Sequence, residues 1–231
     1  LIAKDATLIQ KLGLDAFKLF GTYKMALFFI FSMFLGAALQ LTNMYGDSFL
    51  SNFENIPEYA DSLGVKYSTV ILSISQISET LFILAIPFFL KRFGIKQVML
   101  ISMFAWVLRF GLFAYGNPSD GLWMIIMSCI VYGMAFDFFN ISGSLFIETT
   151  TDSKIRSSAQ GLFMMMTNGF GAYIGSKLSG IIIDKYFVIN GVMNWQDIWL
   201  SFAAYSLIIA IAFAILFKHK HNPNDVANVS H

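Results

Sequence analysis

Six apolar stretches dominate the chain, at residues 25–45, 68–90, 98–115, 122–145, 162–183 and 198–217. Each is close to the ~20 residues that a helix needs to cross a bilayer. Charged residues make up 13% of the 231 positions and hydrophobic ones 57%. A soluble domain usually carries about 25% charge. The sequence is therefore that of an all-α membrane protein with six transmembrane helices. The division it predicts is a cytoplasmic amphipathic linker over 1–24, a six-helix bundle over 25–217 and a cytoplasmic polar tail over 218–231.

The connections between the stretches sort by charge. Lys91, Arg92 and Lys96 fall between the second and third, Lys154 and Arg156 between the fourth and fifth, and Lys218 and Lys220 after the last. The opposite set carries Asp47, Glu54, Glu58, Asp61 and Asp120, with only Lys66 and Lys185 as basic residues. Basic residues concentrate on the cytoplasmic side, which places both ends of the chain there. An even number of spans requires the same arrangement. Residues 116–121 (GNPSDG) and Asn190-Gly191 mark turns, and Trp195 and Trp199 fall where an interfacial aromatic belt is expected. Lys4, Lys11, Lys18 and Lys24 interleave with Leu8, Leu12, Phe17 and Phe20, the pattern of a helix or linker lying on the membrane surface. A solvated linker is the alternative for the first half of that segment. The opening Leu1 is not an initiator methionine, which fits a fragment or a processed product, and no cleavable signal sequence is visible.

Polar residues are unevenly shared. The third stretch has only Ser102 and Arg109, and the sixth only Ser201, Tyr205 and Ser206. The other four carry Gln40, Asn43, Ser75, Gln76, Glu79, Asp137, Asn140 and Asn168. Two outer helices and four that line something wet are expected. A charged residue mid-bilayer costs roughly 2.5–3.5 kcal/mol even on the mildest scale, so it usually faces a cavity or a partner. Asp137 lies beside a helical stripe of Tyr132, Phe136 and Asn140, a face suited to a flat, polar, ring-bearing solute. Glu79 has Ser75 and Gln76 one turn back, a predicted hydrogen-bonding cluster. Burial disfavours an ionised acid, so such groups can take up and release protons in the physiological range. Helix-bracing acids and packing aromatics are the structural alternatives. Arg109 and Lys177 are expected to snorkel to the interface. Gly171 and Gly175, then Ser176 and Gly180, stand four apart, the spacing at which helix backbones approach closely.

Other chemistries lack their residues. His219, His221 and His231 all fall in the tail, so no metal site or catalytic triad assembles within the spans, and no cofactor is implied. No Gly-rich phosphate loop with a following Lys appears. A net charge of +1 without a basic patch excludes nucleic acid as a partner. Cys129 is alone inside an apolar run and reads as a small buried residue.

The polarity pattern of the first three stretches repeats in the last three, with the poorest helix third in each set. Gln40/Asn43 and Asp137/Asn140 share a spacing of three in corresponding helices. Two inverted three-helix repeats make the half-molecule of a major facilitator transporter. The strings FFIFSMFLGAALQ (28–40), SISQISETLFIL (73–84), AFDFFNISGS (135–144) and SAQGLFMMMTNGFG (158–171) carry the resemblance further. Over residues 23–220 the chain resembles the nucleoside:proton symporter family of that superfamily, and the closing Val229-Ser230-His231 is similar to the end of such a permease. The resemblance implies a C-terminal half, helices seven to twelve, of a bacterial inner-membrane carrier whose N-terminal six helices are a missing partner. It also implies a substrate site of Gln40, Asn43, Gln76, Glu79, Tyr132, Phe136 and Asp137, with Asp137 and Glu79 handling the proton. The expected partners are a nucleoside, a proton and the lipid bilayer. A carrier for another polar solute such as a sugar, or a non-transporting membrane module, is the alternative.

Overall fold

The computed structural model describes residues 13–189 and 191–226. The first half of the expected surface segment and the closing Val229-Ser230-His231 lie outside them. The described chain is all-α apart from one two-residue hairpin. A 3-10 segment at Leu14–Gly21, with Ala16 fully buried, leads into α1 (Tyr23–Asn52). There follow α2 (Leu63–Lys66), α3 (Ser68–Tyr115), α4 (Leu122–Thr150), α5 (Arg156–Met164), α6 (Ala172–Tyr186) and α7 (Trp195–Leu216). Among the described residues, four helices are long and apolar enough to cross a membrane: those beginning at Tyr23, Ser68, Leu122 and Trp195.

The 48 residues of α3 would measure ~70 Å if straight, about twice a bilayer's hydrocarbon core. The helix breaks at Gly94, where φ is 78° and ψ 169°, a conformation that only glycine adopts without strain. The second and third apolar stretches are the two limbs of α3, joined at a single residue. The Lys91–Lys96 connection, expected as a loop, is otherwise helical. Pro87 sits within the first limb.

Helix α4 packs against both limbs. From the first, Ser78 Oγ donates to the Ile130 carbonyl and the Phe89 ring meets Phe138 at a tilt, 4.9 Å between centroids. From the second, Ser102 Oγ donates to the Ala135 carbonyl (2.5 Å). On the other side, α5 and α6 form one rod joined through widened, π-helical turns at Met165–Gly171. Glycines set its approach to α1. A Cβ on Gly36 would collide with the Thr167 backbone, one on Gly171 with the Met33 carbonyl, and one on Gly175 would stand 2.7 Å from Ala37 Cα. Gly171 and Gly175 thus pack as the spacing predicts, whereas nothing lies within 4 Å of a Cβ on Gly180.

The turn at 116–121 is held by Asn117 Oδ1, which accepts from the Ser119 and Gly121 amides at 3.0 Å. Gly191, with φ 79°, follows Val188–Ile189 and precedes Val192–Met193, the paired strands of the hairpin. Asn194 caps α7 by accepting from the Asp197 amide (3.3 Å). The aromatic-belt expectation for Trp195 and Trp199 is corrected. Trp199 is fully buried and Trp195 nearly so, packed with Phe49, Phe110 and Phe113. Trp199 lies one turn inside α7 and its ring turns toward α1 and the second limb of α3, where neighbouring rings bury more of it than an interface would.

Candidate functional site

The candidates come from three helices: Gln40 and Asn43 from α1, Gln76 and Glu79 from the first limb of α3, and Tyr132, Phe136 and Asp137 from α4. Gly133 brings the last two helices together. A Cβ there would stand 2.6 Å from the Ser78 carbonyl carbon and 2.7 Å from the Glu79 amide nitrogen. With no side chain at Gly133, the backbone carrying Glu79 lies directly against α4. The Glu79 and Asp137 carboxylates fall within electrostatic reach of each other and of the Tyr132 phenol.

Tyr132 and Phe136, one turn apart, hold their rings parallel within 3° at 5.9 Å between centroids. Tyr132 is buried and meets the indole of Trp106 edge-on at 5.9 Å. Phe136 is half-buried. It lines a shallow recess with Leu39, Trp106, Asn140 and Asn168. Asn140 turns its amide back onto the Phe136 carbonyl at 3.1 Å. Asp137 is 4% exposed, and its Oδ2 has no hydrogen-bond partner among the described residues. A carboxyl without partners at this depth is costly unless it is protonated or meets a ligand.

Glu79, Tyr132, Phe136 and Asp137 are therefore gathered on one side of the α3–α4 seam. Gln76 lies one turn from Glu79 and is exposed. The expected Ser75–Gln76–Glu79 hydrogen-bonding cluster does not form among the described residues. The Gln76 amide, its nitrogen turned inward, reaches the Leu72 and Ser73 carbonyls at 3.2 Å, and Ser75 Oγ is buried without a partner. Backbone carbonyls one turn back are nearer acceptors than a neighbouring side chain. Gln40 is half-buried and Asn43 exposed, next to the recess-lining Leu39, and no hydrogen bond joins them to the α3 and α4 candidates.

Arg109 overturns its expectation. It does not snorkel but lies 2% exposed in the second limb of α3. Its Nη1 donates to the Ser128 carbonyl (2.6 Å) and its Nε to Thr42 Oγ1 (3.4 Å). The guanidinium rests 4.6 Å from the centroid of Tyr132 and 4.9 Å from that of Phe113. Partners supplied by other helices satisfy its donors better than a reach to the interface. Lys177 is exposed, in keeping with a snorkelling residue. Cys129 is buried and unpaired, as expected. Sequence reasoning missed Trp106 and Arg109 as neighbours of the site, since both sit in the third stretch, whose low polarity marks it as outer, and it missed Thr42, which stands between the candidates Gln40 and Asn43.

The model of a family described as "Nucleoside H+ symporter" matches residues 3–222. The chain belongs to that nucleoside H+ symporter family. It is 59% identical over 226 residues to the xanthosine permease of Escherichia coli (strain K12), covering 96% of this chain and 54% of that protein. It is 56% identical over 223 residues to the nucleoside permease NupG of the same strain, covering 95% and 53% respectively. Among solved structures it resembles a crystal structure of the nucleoside transporter NupG in mutant form, with a TM-score of 0.89 at 54% identity over 94% of this chain and 54% of that one. A second NupG crystal structure gives 0.85 at 55% identity. The chain spans about half the length of the curated relatives it matches. Its relatives in the nucleoside H+ symporter family are named as permeases and transporters rather than enzymes, and with its long apolar helices the chain is a multi-pass membrane protein.

Proposed function

We propose that this chain is the C-terminal half, helices seven to twelve, of a carrier that takes up nucleosides with protons by alternating access across the bacterial inner membrane. The two limbs of α3, the α5–α6 rod, α1, α4 and α7 supply the six spans, arranged as two inverted three-helix repeats between cytoplasmic ends. The N-terminal half provides the facing wall of the cavity.

The observation that carries this reading is the seam between α3 and α4. Two carboxylates within electrostatic reach of each other stand beside a parallel aromatic pair. In this reading Tyr132 and Phe136 stack on the base, where each stacking contact is worth about 1–3 kcal/mol. Glu79, Gln76, Gln40 and Asn43 bond the ribose hydroxyls and the base edge. Asp137, with Glu79, carries the coupling proton. Protonation removes a charge that would otherwise be costly to move through a low-dielectric barrier, so the loaded site can change the side it faces. A membrane potential of about 100 mV supplies ~2.3 kcal/mol per proton, and one pH unit adds about 1.4 kcal/mol. Together they sustain accumulation of several-hundred-fold on a single proton.

The test is uptake of radiolabelled uridine by the full-length carrier under an imposed pH gradient. Asp137→Asn is expected to abolish gradient-driven accumulation while leaving exchange of nucleoside down its own gradient. Accumulation at the unmutated level removes Asp137 from the coupling role.

A further inference from the structure

Arg109 is a cation enclosed by protein, with no carboxylate at ion-pair distance among the described residues. Within a membrane span such a group is expensive, and its surroundings state what it is for. It reaches two helices besides its own: the Thr42 hydroxyl of α1, and on α4 the Ser128 carbonyl and, across its face, the Tyr132 ring. The Ser128 hydroxyl returns a hydrogen bond to the Arg109 carbonyl at 3.0 Å, so side chain and backbone are both pinned to α4. A guanidinium held at both ends lies 4.6 Å from the Tyr132 centroid, and Trp106 meets the same ring edge-on. Between them they fix the ring's plane, and the Phe136 ring lies parallel to it.

We infer that Arg109 is a positioning residue for nucleobase recognition: anchored by Thr42 and Ser128, it holds Tyr132 and through it the Tyr132–Phe136 pair in one orientation for stacking. The inference rests on the nucleoside reading above and deepens it. It assigns the base-dependent share of binding to a residue that need not touch the substrate. The guanidinium attracts the ring by its charge and also stacks on it with a flat, delocalised face, which a lysine ammonium cannot do.

The experiment compares uridine with dihydrouridine, whose saturated base is puckered and stacks poorly, as ligands of the purified full-length carrier. Arg109→Lys keeps a cation able to reach the Ser128 carbonyl but lacks the flat face. It should weaken uridine binding about tenfold and leave dihydrouridine binding within about twofold. In a Tyr132→Leu background the same change should alter uridine binding less than about twofold. Equal losses for both ligands, an undiminished loss in the Tyr132→Leu background, or wild-type affinity for uridine would each overturn the inference. Should Arg109→Lys not fold, Thr42→Val carries the same comparison, with a selective loss of about threefold expected and none overturning it. If the unmutated carrier fails to bind uridine at all, the nucleoside reading is what falls.

Discussion

At the scale of single residues, the site depends on where two carboxylates end up. Asp137 is enclosed on α4 with one oxygen unpartnered, while Glu79 is half-buried on the first limb of α3 and open to a ligand. The two acids are therefore inequivalent in what they can touch. In the proposed reading Glu79 is the one that accepts hydrogen bonds from a ribose hydroxyl. Glu79→Gln keeps the shape but removes the charge that strengthens such bonds, which are worth about 1.5–3 kcal/mol when one partner is ionised. Uridine affinity measured by titration calorimetry on the full-length carrier should fall at least tenfold. Affinity equal to wild type would take Glu79 out of the substrate site.

At the scale of elements, the seam depends on a missing side chain. Gly133 lets α4 meet the Ser78–Glu79 backbone, and any added Cβ would meet backbone atoms that cannot rotate away. Gly133→Val should destabilise the protein by about 1–3 kcal/mol, the usual cost of overpacking, read as a lowered melting temperature in detergent. Gly180→Ala is the control. Nothing lies within 4 Å of a Cβ there, so the substitution should be neutral or stabilising by about 0.5–1 kcal/mol, the helix preference for Ala over Gly. A Gly133 variant as stable as the control would mean the helices are not this close. The i,i+4 spacing of small residues marked Gly171 and Gly175 correctly, but in the same pattern at Ser176/Gly180 nothing comes within 4 Å of a Cβ on Gly180. Spacing identifies where approach is possible and not where a partner helix comes.

At the scale of the whole molecule, the start of α1, the end of α4, the bend of α3 and the tail converge. Lys24 Nζ lies 2.7 Å from His219 Nδ1, and His219 sits edge-on to Phe146 and 4.0 Å from the Asp225 carboxylate. A Cβ on Gly94 would strike the His221 ring, and Lys96 Nζ donates to the Ala214 carbonyl (3.0 Å). The polar tail thus latches onto these helix ends, although its composition marks it only as polar. Burial, and then the neighbouring Lys24, hold His219 below its ordinary value of 6.5. The unfolded tail binds more protons than the latched one once the pH falls below that value. The latch is therefore fully stable above about pH 6.5 and weakens as the pH drops through the lower folded value. The hydrogen-exchange protection of residues 217–226, taken relative to the intrinsic exchange rate at each pH, should fall between pH 7.5 and pH 5.5, and His219→Gln should flatten that dependence. Protection factors that do not change over this range would show that His219 does not govern the latch.

The apolar runs alone determined that the chain is helical and membrane-embedded, because length and hydropathy decide whether a helix can exchange water for lipid. Local polarity likewise singled out Glu79, Tyr132, Phe136 and Asp137, since an acid among apolar residues is visible without knowing its neighbours. What the sequence could not reveal is which faces meet. The single-residue bend at Gly94, the enclosure of Arg109 against Tyr132, the burial of Trp199 and the docking of His219 on Lys24 are contacts between residues 19 to 195 positions apart. Tertiary packing settled those contacts, because a long polar or aromatic side chain goes wherever another helix offers it a partner.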